Sequence, residues 1–192
     1  RGIEGKNFEI RKNVIKYDDI INEQRKVIYA ERNKVLNNED LEEEIQKMVK
    51  DIIAETAEKY LRKNKDYYGF LNSIHSSFMP KESLIIPGMD KMSVEETIDY
   101  TYDLSKRVYD FKKIISGIDK VKELERRVLL EVVDSHWIDH IDAMDQLRQC
   151  IGLSAIGQKD PVKEYTIQGY DMFEELNRTI RLETVKYLYK FN

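Results

Sequence analysis

Two histidines four residues apart are the first candidates for chemistry in this sequence. His136 and His140 lie in the stretch DSHWIDHID, at residues 134–142. On a helix this spacing places both imidazole rings on one face, as in zinc peptidases that hold their metal through such a pair. Asp139 stands where those enzymes carry a glutamate as general base, and its side chain is one methylene shorter. The stretch is therefore a degraded match to a zinc site.

A third metal ligand is hard to find. The remaining histidine, His75, lies in an irregular middle segment, so a distant carboxylate or Cys150 would have to complete the site. The alternative is structural: the buried face of the helix consists of Trp137, Ile141 and Met144, and the two histidines flank it. We favour the structural alternative, because histidine pairs at this spacing also arise by chance on helices.

Three further motifs do not support catalysis. The stretch GIEGKN has too few residues between its glycines for a phosphate-binding loop, and Asn7 stands where a magnesium-binding Ser or Thr belongs. Asp18 and Asp19 are adjacent and point about 100 degrees apart on a helix, so they do not form an acid–base pair. No positioned histidine is evident to activate the thiol of Cys150, which we interpret as a small apolar filler. Site chemistry alone predicts no enzyme in this chain.

Composition and charge narrow the class of protein. The chain has 192 residues, 41% hydrophobic and 35% charged, with 8 Gly and 3 Pro. Because Gly and Pro interrupt helices, their scarcity predicts an all-α fold with long helices. The formal net charge of -4, without a basic cluster, predicts no binding of nucleic acid. One cysteine, no leader and no apolar run of about 18 residues predict a reducing cytoplasmic compartment.

Hydrophobic periodicity predicts three long helices. The first covers residues 7–36, the second 118–149, and the third runs from residue 160 to the end of the chain. Asp160 and Pro161 form a typical helix start, a capping residue followed by proline at the first helical position. About ten residues join the second and third helices, so we expect them to form an antiparallel hairpin.

The parts around these helices have a different character. Residues 38–117 combine two shorter predicted helices with an irregular segment, and we expect an inserted small helical domain. The turn of the hairpin carries Leu153 and Ile156, which either tuck back between the two helices or form an apolar tip that contacts another molecule. The chain starts without Met and ends in YLYKFN, and we expect it to be an excised piece of a longer protein.

Three stretches resemble one family, SecA, the motor ATPase of preprotein translocation. NFEIRKNVIKYDDIINEQRKVIYAERNKVL is similar to the opening helix of that family's helical scaffold domain. LLEVVDSHWIDHIDAMDQLRQ and GQKDPVKEYTIQGYDMFEEL resemble the two helices of its two-helix finger. The spacing of the three stretches also fits, so the resemblance spans essentially the whole chain and is weakest in the middle.

The resemblance implies three parts and a place in a larger machine. Residues 1–37 would be the first long helix of the helical scaffold domain, 38–117 the helical wing domain, and 118–192 the two-helix finger of the scaffold. The intact protein would couple ATP hydrolysis to the passage of unfolded preproteins through the SecYEG channel, in the bacterial cytoplasm and peripherally at the inner face of the cell membrane. ATP and Mg would bind motor domains outside this chain, which would itself hold no catalytic residue, cofactor or metal.

The resemblance also implies roles for individual residues. Contacts with preprotein and channel would fall on the fingertip, at Leu153, Ile156, Gln158 and Lys159. Contacts with the motor and peptide-binding domains of the same protein would fall on Arg11, Tyr17, Asp18, Asp19, Gln24 and Arg25. The finger would pack through Trp137, Met144 and Leu147. Relatives commonly carry Leu in place of His136, which argues against the metal site, and Tyr in place of Ile156, so a role that needs a hydroxyl group is not implied.

A function of a different class is compatible with the same pattern. The first long helix carries two apolar stripes, and a helix of this kind usually packs against more than one neighbour. The chain could then be a free-standing helical adaptor that binds a partner helix through its apolar stripes. A motor domain encoded upstream would exclude the adaptor.

Overall fold

The structure is a computed structural model that describes residues 2–37, 40–153 and 160–191. These residues contain no β-strand, which confirms the predicted all-α fold. The α-helices of the described residues are α1 Gly2–Leu36, α2 Glu42–Tyr60, α3 Tyr67–Ser77, α4 Val94–Ser116, α5 Ile118–Leu153 and α6 Pro161–Lys190. Short 3-10 turns at Lys81–Ser83 and Met89–Lys91 lie between α3 and α4. Within the described residues, no helix combines the length and the apolar character needed to span a bilayer.

The long helices extend beyond their predicted ends. Helix α1 begins at Gly2 instead of Asn7, and α5 ends at Leu153 instead of Gln149. In both places the extension passes through glycines, which cost a helix interior only about 1 kcal/mol each and do not stop it as proline would.

The chain divides into two compact units. Unit 1 consists of residues 1–37 and 133–179, and unit 2 consists of residues 38–132 and 180–192. The predicted finger, residues 118–192, is thus shared between the units, because its two outer ends pack with the middle of the chain.

Unit 1 contains three helical segments, and their contacts define how they run. His140 of α5 lies beside Phe173 of α6, with 5.8 Å between the ring centroids. Four residues later on α5, Met144 packs against Gly169, which lies four residues earlier on α6. The two segments are therefore antiparallel, as the hairpin prediction requires.

Helix α1 runs antiparallel to α5 in the same unit. Arg148, near the end of α5, donates to Asp18 at 3.3 Å, whereas Asp134, earlier on α5, pairs with Arg32 at 2.9 Å. Both ion pairs are partly exposed and stabilise the unit little, so they report the direction of the helices more than their stability.

The core of unit 1 is built around two tyrosine rings. Tyr17 of α1 and Tyr165 of α6 meet edge to face, with centroids 4.8 Å apart, and Met144 and Ile151 of α5 complete the buried cluster. Edge-to-face pairs of aromatic rings stabilise a core by about 0.5 to 1.5 kcal/mol beyond the area that they bury. The partly buried residues around the cluster are Ile20, Ile21, Leu147, Val162 and Met172.

In unit 2, α2 and α4 pack antiparallel. Glu42 at the start of α2 accepts from Lys113 near the end of α4 at 2.6 Å, and Arg62 just beyond α2 donates to Glu95 at the start of α4 at 3.1 Å. Helix α4 buries a stripe of small or hydroxyl-bearing residues, whose Thr and Ser hydroxyl groups donate to carbonyl oxygens three or four residues earlier. The stripe consists of Thr97, Thr101, Ser105 and Tyr109.

Tyr189, near the end of α6, organises the aromatic core of unit 2. Its ring meets Phe78 edge to face at 5.0 Å and stacks on Tyr109 at 5.2 Å, and its hydroxyl donates to the carbonyl oxygen of Ser105. Tyr109 in turn donates to Glu125 at 2.6 Å. Burial raises the pKa of the Glu125 carboxyl above its usual range, and the hydrogen bond from Tyr109 opposes that shift. These contacts explain why the first turns of α5 and the last turns of α6 belong to unit 2.

Candidate functional site

The candidate site lies in unit 1, where one glutamine of α1 joins two other helices. Gln24 donates through Nε2 to the carbonyl oxygen of Gly169 at 3.2 Å, and its Oε1 lies 2.7 Å from Nε2 of His140. A carbonyl oxygen only accepts, so the amide nitrogen must face Gly169 and the amide oxygen must face His140. His140 therefore carries its proton on Nε2 and donates it. We call these three residues the Gln24 bridge.

The Gln24 bridge is buried. The side chains of Gln24 and His140 are 8% and 6% exposed. Buried polar groups of this kind cost about 1 to 3 kcal/mol each when they lose their partner, so the bridge constrains the positions of all three helices. It ties α1 to both helices that lead to the predicted fingertip.

His140 belongs to the buried face of α5, not to its flank as we predicted. Its ring stacks on Trp137 at 5.5 Å with 30° between the planes. This burial lowers the pKa of the His140 imidazole below its usual range. Its Nε2 faces the amide oxygen of Gln24, and in the described parts of the chain no three His, Cys, Asp or Glu side chains are grouped closely enough to hold a metal ion. The structure thus gives His140 a packing role.

Stability should depend on pH through His140. The pKa of this imidazole is lowered in the folded chain, so its contribution is fully present above the unfolded value near 6.5 and is lost as the pH falls below it. Between pH 7.5 and pH 5.5 we expect the free energy of unfolding of the wild type to fall more than that of the variant His140→Gln, which cannot take up that proton. Urea denaturation of both proteins at the two pH values measures the difference. Parallel pH profiles would contradict the assignment.

Gly169 is a functional position that sequence reasoning missed. A Cβ atom at this residue would lie 2.7 Å from Cε of Met144, whose side chain is fully buried. The missing side chain lets α6 approach α5 closely at Met144. The available signal was a glycine in the middle of a strongly periodic helix, a position that usually has a packing reason.

The six residues of α1 that were predicted to contact other domains differ in how deeply they are buried. Tyr17 and Gln24 direct their side chains into unit 1, so their contacts are with the chain's own helices. Arg11, Asp18 and Asp19 are exposed, and Arg25 is half-buried beside Asn22, whose Oδ1 accepts from its guanidinium at 2.9 Å. The outward-facing part of the predicted set is therefore Arg11, Asp18, Asp19 and Arg25.

A polar groove adjoins these residues. It has a volume of about 340 Å³, and both carboxylates and guanidinium groups line it. Two of them, Asp18 and Arg148, form an ion pair. The arginine also lies 5.1 Å from the centre of the Tyr17 ring. Its lining residues are Asp18, Ile21, Asn22, Arg25, Ile141, Asp145, Arg148 and Tyr165.

The predicted fingertip is only partly within the described residues. Leu153 ends α5 and is 84% exposed. Ile156, Gln158 and Lys159 lie outside the described residues. Asp160 caps α6 as expected, because its carboxylate accepts from the backbone amide of Lys163 at 3.0 Å.

The predicted packing residues of the finger lie on the inner side of α5. Trp137 is 6% exposed, Met144 is fully buried, and Leu147 is partly buried against the core cluster of unit 1. All three thus lie on the packed side of α5.

Comparison with known proteins places this architecture in one family. The family model for the SecA wing and scaffold domain matches residues 1–192. The chain belongs to the SecA wing and scaffold family. The resemblance predicted from three sequence stretches is thereby confirmed, and membership in this family replaces the free-standing adaptor as the best account.

Individual relatives show how large the intact proteins are. The chain is 67% identical to protein translocase subunit SecA 2 of Clostridioides difficile strain 630, over 100% of the chain and 25% of the relative. It is 48% identical to protein translocase subunit SecA 1 of the same strain, over 97% of the chain and 21% of the relative. It is 44% identical to protein translocase subunit SecA of Finegoldia magna, over 96% of the chain and 21% of the relative. The chain thus spans about a quarter or less of the length of these SecA proteins.

Proposed function

We propose that this chain is the scaffold, wing and finger part of a protein-export motor. Residues 1–37 and 118–192 form the helical scaffold with its two-helix finger, and residues 38–117 form the wing. The motor couples ATP hydrolysis to the movement of unfolded preproteins through the SecYEG channel. The observation that carries the proposal is the Gln24 bridge, because it ties α1 to both helices of the hairpin whose end exposes Leu153.

The proposed role of α1 is to receive movement from the rest of the protein. Arg11, Asp18, Asp19 and Arg25 face outward and contact the motor and peptide-binding domains of the intact chain. The first half of α1 also exposes several large apolar side chains, as expected for a surface that other domains cover: Ile3, Phe8, Ile10 and Ile15. A displacement of α1 then passes to α5 and α6, because the buried bridge and the tyrosine pair allow little independent motion.

The proposed role of the hairpin end is to contact the polypeptide in transit. Hydrophobic contact is non-directional, so an apolar side chain such as Leu153 holds unfolded chains without requiring a particular sequence. Ile156, Gln158 and Lys159 complete the proposed contact with preprotein and channel.

The chemistry of the motor is assigned to parts outside this chain. ATP and Mg bind the motor domains, and this chain contributes no catalytic residue, cofactor or metal ligand. The intact protein acts in the bacterial cytoplasm and peripherally at the inner face of the cell membrane, and its formal charge gives this part no affinity for nucleic acid.

Replacing Leu153 with Asp in the intact protein tests the proposal. A carboxylate at an apolar contact must lose water without gaining a partner, so we expect ATP-driven transport of an unfolded preprotein into SecYEG vesicles to fall by about tenfold or more. The matched control is Ile138→Asp, also on α5 and 61% exposed, which should transport normally. The melting temperature of both variants should equal that of the wild type. Normal transport by Leu153→Asp would contradict the proposal.

A further inference from the structure

Unit 2 carries an apolar groove that the export proposal does not use. Its floor is a stripe on α4 that consists of Leu104, Val108, Phe111 and Ile115. The spacing of four, three and four residues keeps these side chains on one side of the helix for about three turns, roughly 16 Å. The stripe is separate from the buried stripe of the same helix. The groove has a volume of about 560 Å³, and its remaining lining residues are Pro80, Ser83, Arg107, Lys112, Ser116 and Phe191.

The groove is open to solvent at its largest side chains. Phe111 is 63% exposed and Ile115 is 68% exposed. Next to the stripe, Ile114 is 77% exposed and Ile118 is 58% exposed, so the apolar surface continues past the end of α4. Contiguous apolar surface of this kind marks an interaction site in soluble domains. A spacing of three and four residues is the pattern with which one helix receives another.

The charges of the groove restrict what can occupy it. Arg107 and Lys112 line it, and among the described residues that line it there is no Asp or Glu, although the whole chain has a formal charge of -4. Lys112 is held in place, because its ammonium donates to the carbonyl oxygens of Tyr189 and Phe191 and lies 4.8 Å from the centre of the Phe191 ring. Within residues 2–37, 40–153 and 160–191, no carboxylate pairs with Arg107. The groove therefore offers an apolar floor with a cationic side.

We propose that this groove binds an amphipathic helix of another polypeptide, with apolar side chains every three or four residues and acidic side chains beside them. The apolar side chains fill the spaces along the α4 stripe, and the acidic ones face Arg107 and Lys112. A second copy of this chain bound through the same groove would bring the arginine and lysine of both copies together, and such a contact between like charges is unfavourable. The proposal is independent of the export function.

Two labelled peptides and three variants test the proposal. The probe is a 21-residue helical peptide with Leu at heptad positions a and d and Glu at e and g, and the matched peptide carries Lys in place of Glu. Fluorescence anisotropy with the 192-residue chain should show that the Glu peptide binds at least about tenfold more tightly than the Lys peptide. Phe111→Ser should weaken that binding by about tenfold or more. Ile85→Ser, in the same unit and 66% exposed but outside the groove, should not change it.

Reversing the charge of Arg107 distinguishes specific docking from non-specific hydrophobic binding. Arg107→Glu should lose the preference for the Glu peptide or reverse it, and this exposed residue can change without affecting the fold, which circular dichroism melting verifies for every variant. Equal binding of the two peptides, or unchanged binding by Phe111→Ser and Arg107→Glu, would overturn the proposal. A dimer in sedimentation that Phe111→Ser abolishes would also overturn it and assign the groove to a second copy.

Discussion

Trp137→Ala should lower the free energy of unfolding by about 3 to 5 kcal/mol, the usual cost of removing a large buried aromatic side chain. The indole ring is 6% exposed and stacks on the ring of His140. Its loss leaves a cavity beside the Gln24 bridge, so both packing and a buried hydrogen bond are weakened. Urea denaturation of the 192-residue chain measures the cost.

A neighbour on the same helix provides the control for Trp137. Ile138 is 61% exposed, and Ile138→Ala should change the free energy of unfolding by less than about 0.5 kcal/mol. Trp137→Phe retains a ring and should cost clearly less than the alanine variant. A loss below about 1 kcal/mol in Trp137→Ala would show that the indole does not support the bridge.

Met144→Ala should cost about 2 to 5 kcal/mol, because this fully buried side chain fills the space between α5 and Gly169. Gly169→Ala alone should also destabilise the chain, by about 1 to 3 kcal/mol. A Cβ atom at residue 169 would lie 2.7 Å from Met144 Cε and 3.4 Å from its Sδ, so the buried Met144 side chain must shift before alanine fits. The better helix propensity of alanine, about 1 kcal/mol, offsets part of the cost of that shift.

In the background of Met144→Ala, the effect of Gly169→Ala on the free energy of unfolding should change from destabilising to stabilising. Once Met144 is truncated, the Cβ atom at residue 169 meets no methyl group, and Gly169→Ala becomes stabilising by up to about 1 kcal/mol through helix propensity. A double-mutant cycle of urea denaturation curves measures this coupling directly. If the free-energy costs of Met144→Ala and Gly169→Ala simply add, Gly169 is not needed for the close approach of α6 to α5.

Local sequence patterns predicted the helices well and their partners poorly. Scarce Gly and Pro and the apolar periodicity gave an all-α fold, and Trp137 and Met144 lie on the buried face that the pattern assigned to them. Periodicity shows which side of a helix is apolar, but not which helix covers it. The sharing of residues 118–192 between two units was therefore not predictable, because it depends on long-range contacts such as that between Tyr109 and Glu125.

The polar part of the site was the hardest to predict. The resemblance assigned Gln24 to contacts with the motor and peptide-binding domains, and glutamine is mostly exposed unless a specific partner is available. Its partners, His140 and the carbonyl oxygen of Gly169, are 116 and 145 residues away in the chain, so no local pattern could reveal them. For the same reason His140 was predicted to flank the buried face when it is part of it.

Cross-linking from Leu153 tests most directly whether the end of the hairpin touches the polypeptide in transit. In an intact protein with Leu153→Cys, Cys150→Ser and no other cysteine, a preprotein with one cysteine is stalled in the channel in the presence of ATP. We expect a disulfide-linked adduct from residue 153 and none from Tyr170→Cys, a 62% exposed control position on α6. No adduct from residue 153, or equal adducts from both positions, would contradict the account.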